Sequence, residues 1–236
     1  MTAVIRNFDE KGRDLGELWR RWVAANALSE ATGLSLTLGL TGLIISRLES
    51  INGVSGILLA FGAAVVAGVI EATLVGFAQW WAMHPWLPSI RRNQWWLGTL
   101  GGALLAYILG YLPPTIIDLG AQVTGEAPIA EPPQIIVLLL AAGLGFVAGA
   151  VLSWAQWLVL RHHVERAGWW VPANMLAWMI AMPIIFWAVD LAYKMQTGWV
   201  IILFALAILL AVGALVGAIH GAVLVWLVGK QSKANS

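Results

Sequence analysis

The chain has 236 residues, 60% of them hydrophobic and 11% charged, with a formal net charge of +1 and a mean hydropathy of +0.82. A soluble domain carries roughly 25% charged residues, so this composition excludes a water-soluble fold, and so small a net charge gives no reason to expect a nucleic-acid partner. Cysteine is absent, which excludes disulfides, thiolate metal sites, iron–sulfur clusters and cysteine nucleophiles.

Residues 1–21 carry mixed charge and no apolar core segment, so they are neither a signal peptide nor a transit sequence. Leu15, Leu18, Trp19 and Trp22 recur at helical spacing beside Arg20 and Arg21. That pattern predicts either a short amphipathic helix lying on the cytoplasmic membrane surface or an extension of the first span. Six apolar stretches follow, at 22–46, 54–82, 95–117, 134–160, 169–190 and 199–228. Each is as long as the ~20 residues that cross a ~30 Å hydrocarbon core. They predict one all-α transmembrane domain over 22–228, followed by a cytoplasmic tail at 229–236. Pro183 should kink the fifth span, because it removes a backbone donor and clashes with the preceding turn.

Orientation follows from the accumulation of Lys and Arg in cytoplasmic loops. Arg6, Lys11, Arg13, Arg20, Arg21, Arg91, Arg92, Arg161, Arg166, Lys230 and Lys233 fall on one side, and only Arg47 and Lys194 on the other. Both ends of the chain are therefore expected in the cytoplasm. The outer side instead holds Glu49, Asp118, Glu126, Glu131 and Asp190. Trp19, Trp22, Trp80, Trp81, Trp86, Trp95, Trp96, Trp157, Trp169, Trp170 and Trp226 lie near the cytoplasmic boundary, against Trp187 and Trp199 near the outer one. Indole rings prefer the level of the lipid headgroups, so these residues read as an interfacial belt. The expected setting is a bacterial inner membrane, with anionic lipids at the cytoplasmic face and room for a membrane-protein partner or a second copy of the chain.

Trp22, Trp96 and Trp170 are each 74 residues apart, and each opens a span entering from the cytoplasm. Trp22-Val23-Ala24-Ala25-Asn26-Ala27-Leu28 is echoed by Trp170-Val171-Pro172-Ala173-Asn174-Met175-Leu176. Ala78-Gln79-Trp80 is echoed by Ala155-Gln156-Trp157, with Val225-Trp226 as a fainter third copy. Three helical hairpins in one orientation, at about 22–94, 95–168 and 169–228, predict a pseudo-threefold bundle about the membrane normal. The W-V-x-A-N-x-L openings and A-Q-W endings resemble a group of uncharacterised multi-pass bacterial membrane proteins, a resemblance that implies this fold and no particular activity.

Spanning helices associate through close packing and interhelical hydrogen bonds, and every span has small residues four apart. These are Ser29, Gly33, Thr37 and Thr41; Ala64, Gly68, Ala72 and Gly76; Gly98, Gly102, Ala106 and Gly110; Gly145, Gly149 and Ser153; Ala173, Ala177 and Ala181; and Gly213, Gly217 and Gly221. A tight bundle is expected.

The polar residues inside the spans are the candidate ligand- or proton-binding groups. Asn26, Gln79, Gln156 and Asn174 form a layer roughly 6 Å inside the cytoplasmic boundary, counted at 1.5 Å per residue. They predict interhelical hydrogen bonds or, alternatively, the lining of a vestibule. Glu30 and His220, on the first and last spans, lie at roughly 10–12 Å and would pair if the six helices close into a ring. Glu71 lies roughly 18 Å deep, where a charged carboxylate costs about 3 kcal/mol, so it must face the bundle. Asp118 and Asp190 read as solvated helix ends. His84, His162, His163 and Glu165 only loosely resemble a metal cluster in a basic loop. With no nucleotide-binding glycine loop, nucleophile elbow or HExxH, no enzyme and no cofactor is expected. Two roles remain: a non-catalytic structural or accessory membrane protein, or a carrier or binding component for a small molecule or ion that uses Glu71, Glu30, His220 and the amide layer.

Overall fold

The computed structural model describes residues 12–48, 51, 53–125 and 132–234. Arg6, Lys11, Glu49, Glu126 and Glu131 lie outside the described residues, as does the side chain of Lys233. Among the described residues, regular structure comprises six α-helices, α1 (Leu15–Leu48), α2 (Val54–Met83), α3 (Arg92–Thr124), α4 (Gln134–Leu160), α5 (Trp170–Tyr193) and α6 (Gly198–Ala234), with a single 3-10 turn at Ala167–Trp169. All six are long and apolar enough to cross a membrane. Their outward faces expose Leu28, Val66, Leu139, Leu140 and Ile202, surface that suits hydrocarbon and not water.

α4 coincides with its expected span, whereas α1, α3 and α6 extend well past theirs. α1 runs unbroken from Leu15, and Leu15 and Leu18 are buried in the core with Trp22. The extension of the first span is therefore what is found, not a separate surface helix. α3 continues through Pro113 and Pro114 to Thr124 and stops at Gly125, whose φ of 68° gives the left-handed turn that ends helices. Its 33 residues reach about 50 Å. α5 is one helix through Pro183.

Each helix packs against its chain neighbours, and α6 closes against α1, so the six form a ring. The ends of the ring meet: a β-carbon on Gly229 would stand 3.1 Å from Leu15 Cδ1. We call this the near end. Small residues carry the seams, as expected. A β-carbon on Gly213 would lie 2.8 Å from Asn26 O and 2.9 Å from Ala27 Cα, and one on Gly149 would lie 2.7 Å from Asn174 O. Gly110 departs from the pattern, with nothing within 4 Å of that position.

Candidate functional site

The near end is filled by three tryptophans from the three odd-numbered helices. Trp22, Trp95 and Trp170 are each 0% exposed. They pack edge to face in all three pairings, with ring centroids 6.3 Å (Trp22–Trp95), 5.8 Å (Trp22–Trp170) and 6.1 Å (Trp95–Trp170) apart. Such contacts let the positive edge of one indole meet the negative face of the next. Three rings from α1, α3 and α5 in mutual contact occupy the middle of the ring of helices. The expected interfacial belt is thus divided: Trp81 and Trp169 are about 60% exposed at the rim (59% and 60%), whereas these three form a plug. Trp95, and not its neighbour Trp96, joins Trp22 and Trp170; Trp96 is half-buried and donates to Thr73 Oγ1 at 3.2 Å.

A buried indole N–H needs an acceptor, and each finds one on an even-numbered helix. Trp22 Nε1 donates to His220 Nδ1 (2.8 Å), Trp95 Nε1 to Gln79 Oε1 (3.2 Å) and Trp170 Nε1 to Gln156 Oε1 (3.0 Å). The acceptor for Trp22 is thus an imidazole nitrogen, whereas those for Trp95 and Trp170 are glutamine carbonyl oxygens. The amides extend the network. Gln79 Nε2 donates to Asn26 Oδ1 at 2.8 Å, and Gln156 Nε2 to Gln79 Oε1 and Thr99 Oγ1, both at 3.0 Å. Asn26 and Asn174 donate Nδ2 one turn back, to Trp22 O at 2.8 Å and Trp170 O at 2.9 Å. All five side chains of the candidate amide and imidazole set are buried.

The two glutamates belong to a different place. His220 is committed to Trp22, and Glu30 faces Glu71, so the expected Glu30–His220 pair does not form although α1 and α6 do pack together. Glu30 is 6% exposed and Glu71 half-buried. The two carboxyl side chains adjoin one another in the seam between α1 and α2. Tyr107 O–H donates to Glu71 Oε2 from α3, and the Tyr111 ring is stacked on Tyr107 with centroids 6.0 Å apart. Two glycines make room: a β-carbon on Gly33 would stand 2.9 Å from Glu71 Cα, and one on Gly68 would stand 2.9 Å from the Tyr107 ring.

Sequence reasoning misses Tyr107 because nothing in the pattern gives the rotation of α3 about its axis; the signal available is that the chain has only three tyrosines and two lie four apart in one span. At the far end Asp190 Oδ2 accepts from Gln134 Nε2 (3.0 Å) and Lys194 Nζ (2.7 Å), while Asp118 is exposed. His163 Nδ1 bonds Ser89 Oγ at 2.9 Å between two near-end loops. Among the described residues no group of three or more metal-ligating side chains comes together. No family model, curated protein or solved structure matches this chain.

Proposed function

We propose that the chain is a non-catalytic structural or accessory protein of a bacterial inner membrane, with both ends in the cytoplasm, built as three helical hairpins about a pseudo-threefold axis. One observation carries this reading: the tryptophan plug and its polar partners are buried and bonded to one another, which commits the glutamine amides and the indole N–H groups to holding the helices together. The threefold reading is supported by position. Four residues after Trp22, Trp95 and Trp170 stand Asn26, Thr99 and Asn174, and all three are buried. Orientation is supported by charge: Arg13, Arg20, Arg21, Arg91, Arg92, Arg161, Arg166 and Lys230 lie toward the near end, against Arg47 and Lys194 toward the far end. In liposomes, the purified protein should leave a proton gradient and entrapped small solutes as well retained as in empty vesicles. Protein-dependent leakage abolished by Glu71→Gln would overturn the scaffold reading.

A second reading, a proton- or cation-binding role for the Glu30–Glu71–Tyr107 cluster, is favoured by a break in the repeat. Glu30 stands eight residues after Trp22, and the corresponding positions after Trp95 and Trp170 are Ala103 and Trp178. Glu71 stands eight before Gln79, and the corresponding positions before Gln156 and His220 are Ala148 and Val212. The other two hairpins thus carry no carboxyl group at the corresponding positions, so packing alone does not require one in the first. The test is the thermal stability of wild type and Glu71→Gln across pH and a panel of monovalent and divalent cations. Identical profiles would dispose of this role.

A further inference from the structure

The rim of the near end carries guanidinium groups stacked on aromatic rings, and two of these stacks share one helix face. Arg21, from α1, lies 4.5 Å from the Trp81 ring centroid and 5.7 Å from that of Trp86. Arg92, from α3, lies 5.5 Å from the Phe77 centroid. All three distances are within the range of cation–π attraction. Phe77 and Trp81 are one turn apart on α2, and both open outward, at 38% and 59% exposure. Leu74, 36% exposed, continues the same face away from the near end. Two cations from neighbouring helices therefore converge on a single apolar stripe.

These cations are held in place but short of acceptors. A guanidinium has five N–H donors, yet Arg21 makes only long contacts, from Nη2 to Trp81 O at 3.4 Å and from Nη1 to Glu17 Oε1 at 3.8 Å. Among the described residues its Nε has no hydrogen-bond partner, and neither does Nε1 of Trp86, a residue only 6% exposed. Among the described residues no carboxylate is within ion-pair distance of Arg92. The stack on α4 is different. Arg161 lies 5.2 Å from the Trp157 centroid, but its Nε already meets His162 Nε2 at 3.3 Å.

We propose that the Phe77–Trp81 face of α2, flanked by Arg21 and Arg92, binds the phosphate of an anionic phospholipid whose acyl chain lies along Leu74, Phe77 and Trp81. A phosphate offers the planar guanidinium fork the paired oxygens it fits best, and aromatic rings at the headgroup level fix the depth at which it binds. The stripe running inward from the cations selects a lipid over a free anion, because inorganic phosphate has nothing to lay on it. Glu17 is the opposing feature, since its carboxylate stands on the same guanidinium. That pair is long, at 3.8 Å, and its carboxylate partner is 53% exposed, so it is weak and the lipid displaces it. The inference needs the helices to lie in a bilayer and is independent of both functional readings above.

The test is titration of the detergent-purified protein with phosphatidylglycerol, phosphatidylcholine or inorganic phosphate. The readouts are the thermal midpoint and the lipid retained in native mass spectra. Phosphatidylglycerol should raise the midpoint, and Arg21→Gln and Arg92→Gln should each weaken its apparent affinity about tenfold, the loss of one charged hydrogen bond. Glu17→Gln should tighten binding by removing the competitor. Arg20→Gln is the charge-matched control: its side chain is 69% exposed and pairs with Asp14 at 3.7 Å, so binding should stay as in wild type. Arg92 is exposed at the helix start, so its variant serves if Arg21→Gln does not fold. The proposal is overturned by unchanged phosphatidylglycerol affinity in Arg92→Gln, by an equal loss in Arg20→Gln, which would mean diffuse charge alone, by equal stabilisation from phosphatidylcholine, or by the same shift from inorganic phosphate, which would mean a free-anion site.

Discussion

The indole N–H of Trp22 and the Nδ1 of His220 meet at 2.8 Å, and through this bond the first helix of the ring is tied to the last. Because Nδ1 accepts, the ring proton of His220 sits on Nε2. Gln79 and Gln156 perform the same service for Trp95 and Trp170 through their carbonyl oxygens. His220→Gln should therefore keep stability within about 1 kcal/mol. His220→Leu leaves the Trp22 donor buried and unpaired, and should lose about 1–3 kcal/mol. Thermal unfolding in detergent compares the two, and equal losses would show that the bond contributes little.

Gln156 makes three bonds in the plug, as Gln79 does, accepting from Trp170 and donating to Gln79 and Thr99. Gln156→Leu should destabilise by about 2 kcal/mol, because Trp170 Nε1 loses its acceptor, Thr99 Oγ1 loses a donor and Gln79 Oε1 keeps only Trp95. Adding Trp170→Phe removes one of those orphans, so the pair should cost less than the sum of the single changes. A double-mutant cycle that is strictly additive would mean that the two side chains do not share a network.

Closure of the ring is open to a chemical test because the chain has no cysteine of its own. Leu15→Cys combined with Gly229→Cys places two thiols where the α1 and α6 ends touch. Oxidation should cross-link them within one chain, seen as a mobility change on electrophoresis that a reductant reverses. A cross-link that forms only between chains would show that the seam is not intramolecular.

The near-end loops carry a pH dependence of known sign. Burial, and then the neighbouring His162, push His163 below the usual histidine range. A histidine with a depressed folded pKa binds fewer protons folded than unfolded, so its contribution is full above about pH 6.5 and is lost as the pH falls toward the folded value. Arg161, Glu165 and Arg166 flank the segment. The thermal midpoint should drop between pH 7 and pH 5, and His163→Gln, tested in the same buffers, should flatten the slope. A slope unchanged by the substitution would assign it to other groups.

Small residues also limit what the seams tolerate. Gly213→Ala would set a methyl 2.8 Å from Asn26 O and 2.9 Å from Glu30 Cβ, and should cost about 1–3 kcal/mol by overpacking. Gly110→Ala meets nothing within 4 Å and should be neutral or slightly stabilising, since Ala is the better helix former. Thermal midpoints of the two variants should separate; if they move together, the seam is not closely packed.

The spans were legible because hydrocarbon thickness imposes a length that apolar runs reveal directly. Their ends were not: the third apolar stretch ends at 117, yet α3 carries on to Thr124, a continuation that hydropathy does not predict. The polar layer was legible as a layer, since depth follows from counting. Partner choice was not, because it depends on each helix's rotation. The paired Trp95-Trp96 shows the limit well: equal 74-residue spacing picks Trp96, whereas the plug uses spacings of 73 and 75, a difference that loop lengths absorb without any trace in the pattern. His220 stayed hidden as the counterpart of two glutamines because the shared property is an acceptor at one point in space, not a residue type. Depth placed Glu30 near His220, but it is Glu71, on the other flank of α1, that it meets.

The ring has an implication for biosynthesis. A ribosome delivers α1 first and α6 last, so while α2 to α5 are being made, the flank of α1 that will receive Gly213 and Gly217 faces lipid or the insertion machinery. Trp22 waits all that time for its histidine. The last helix to emerge is thus the one that completes the plug, and a chain interrupted before it would expose an open seam that quality-control proteases can recognise.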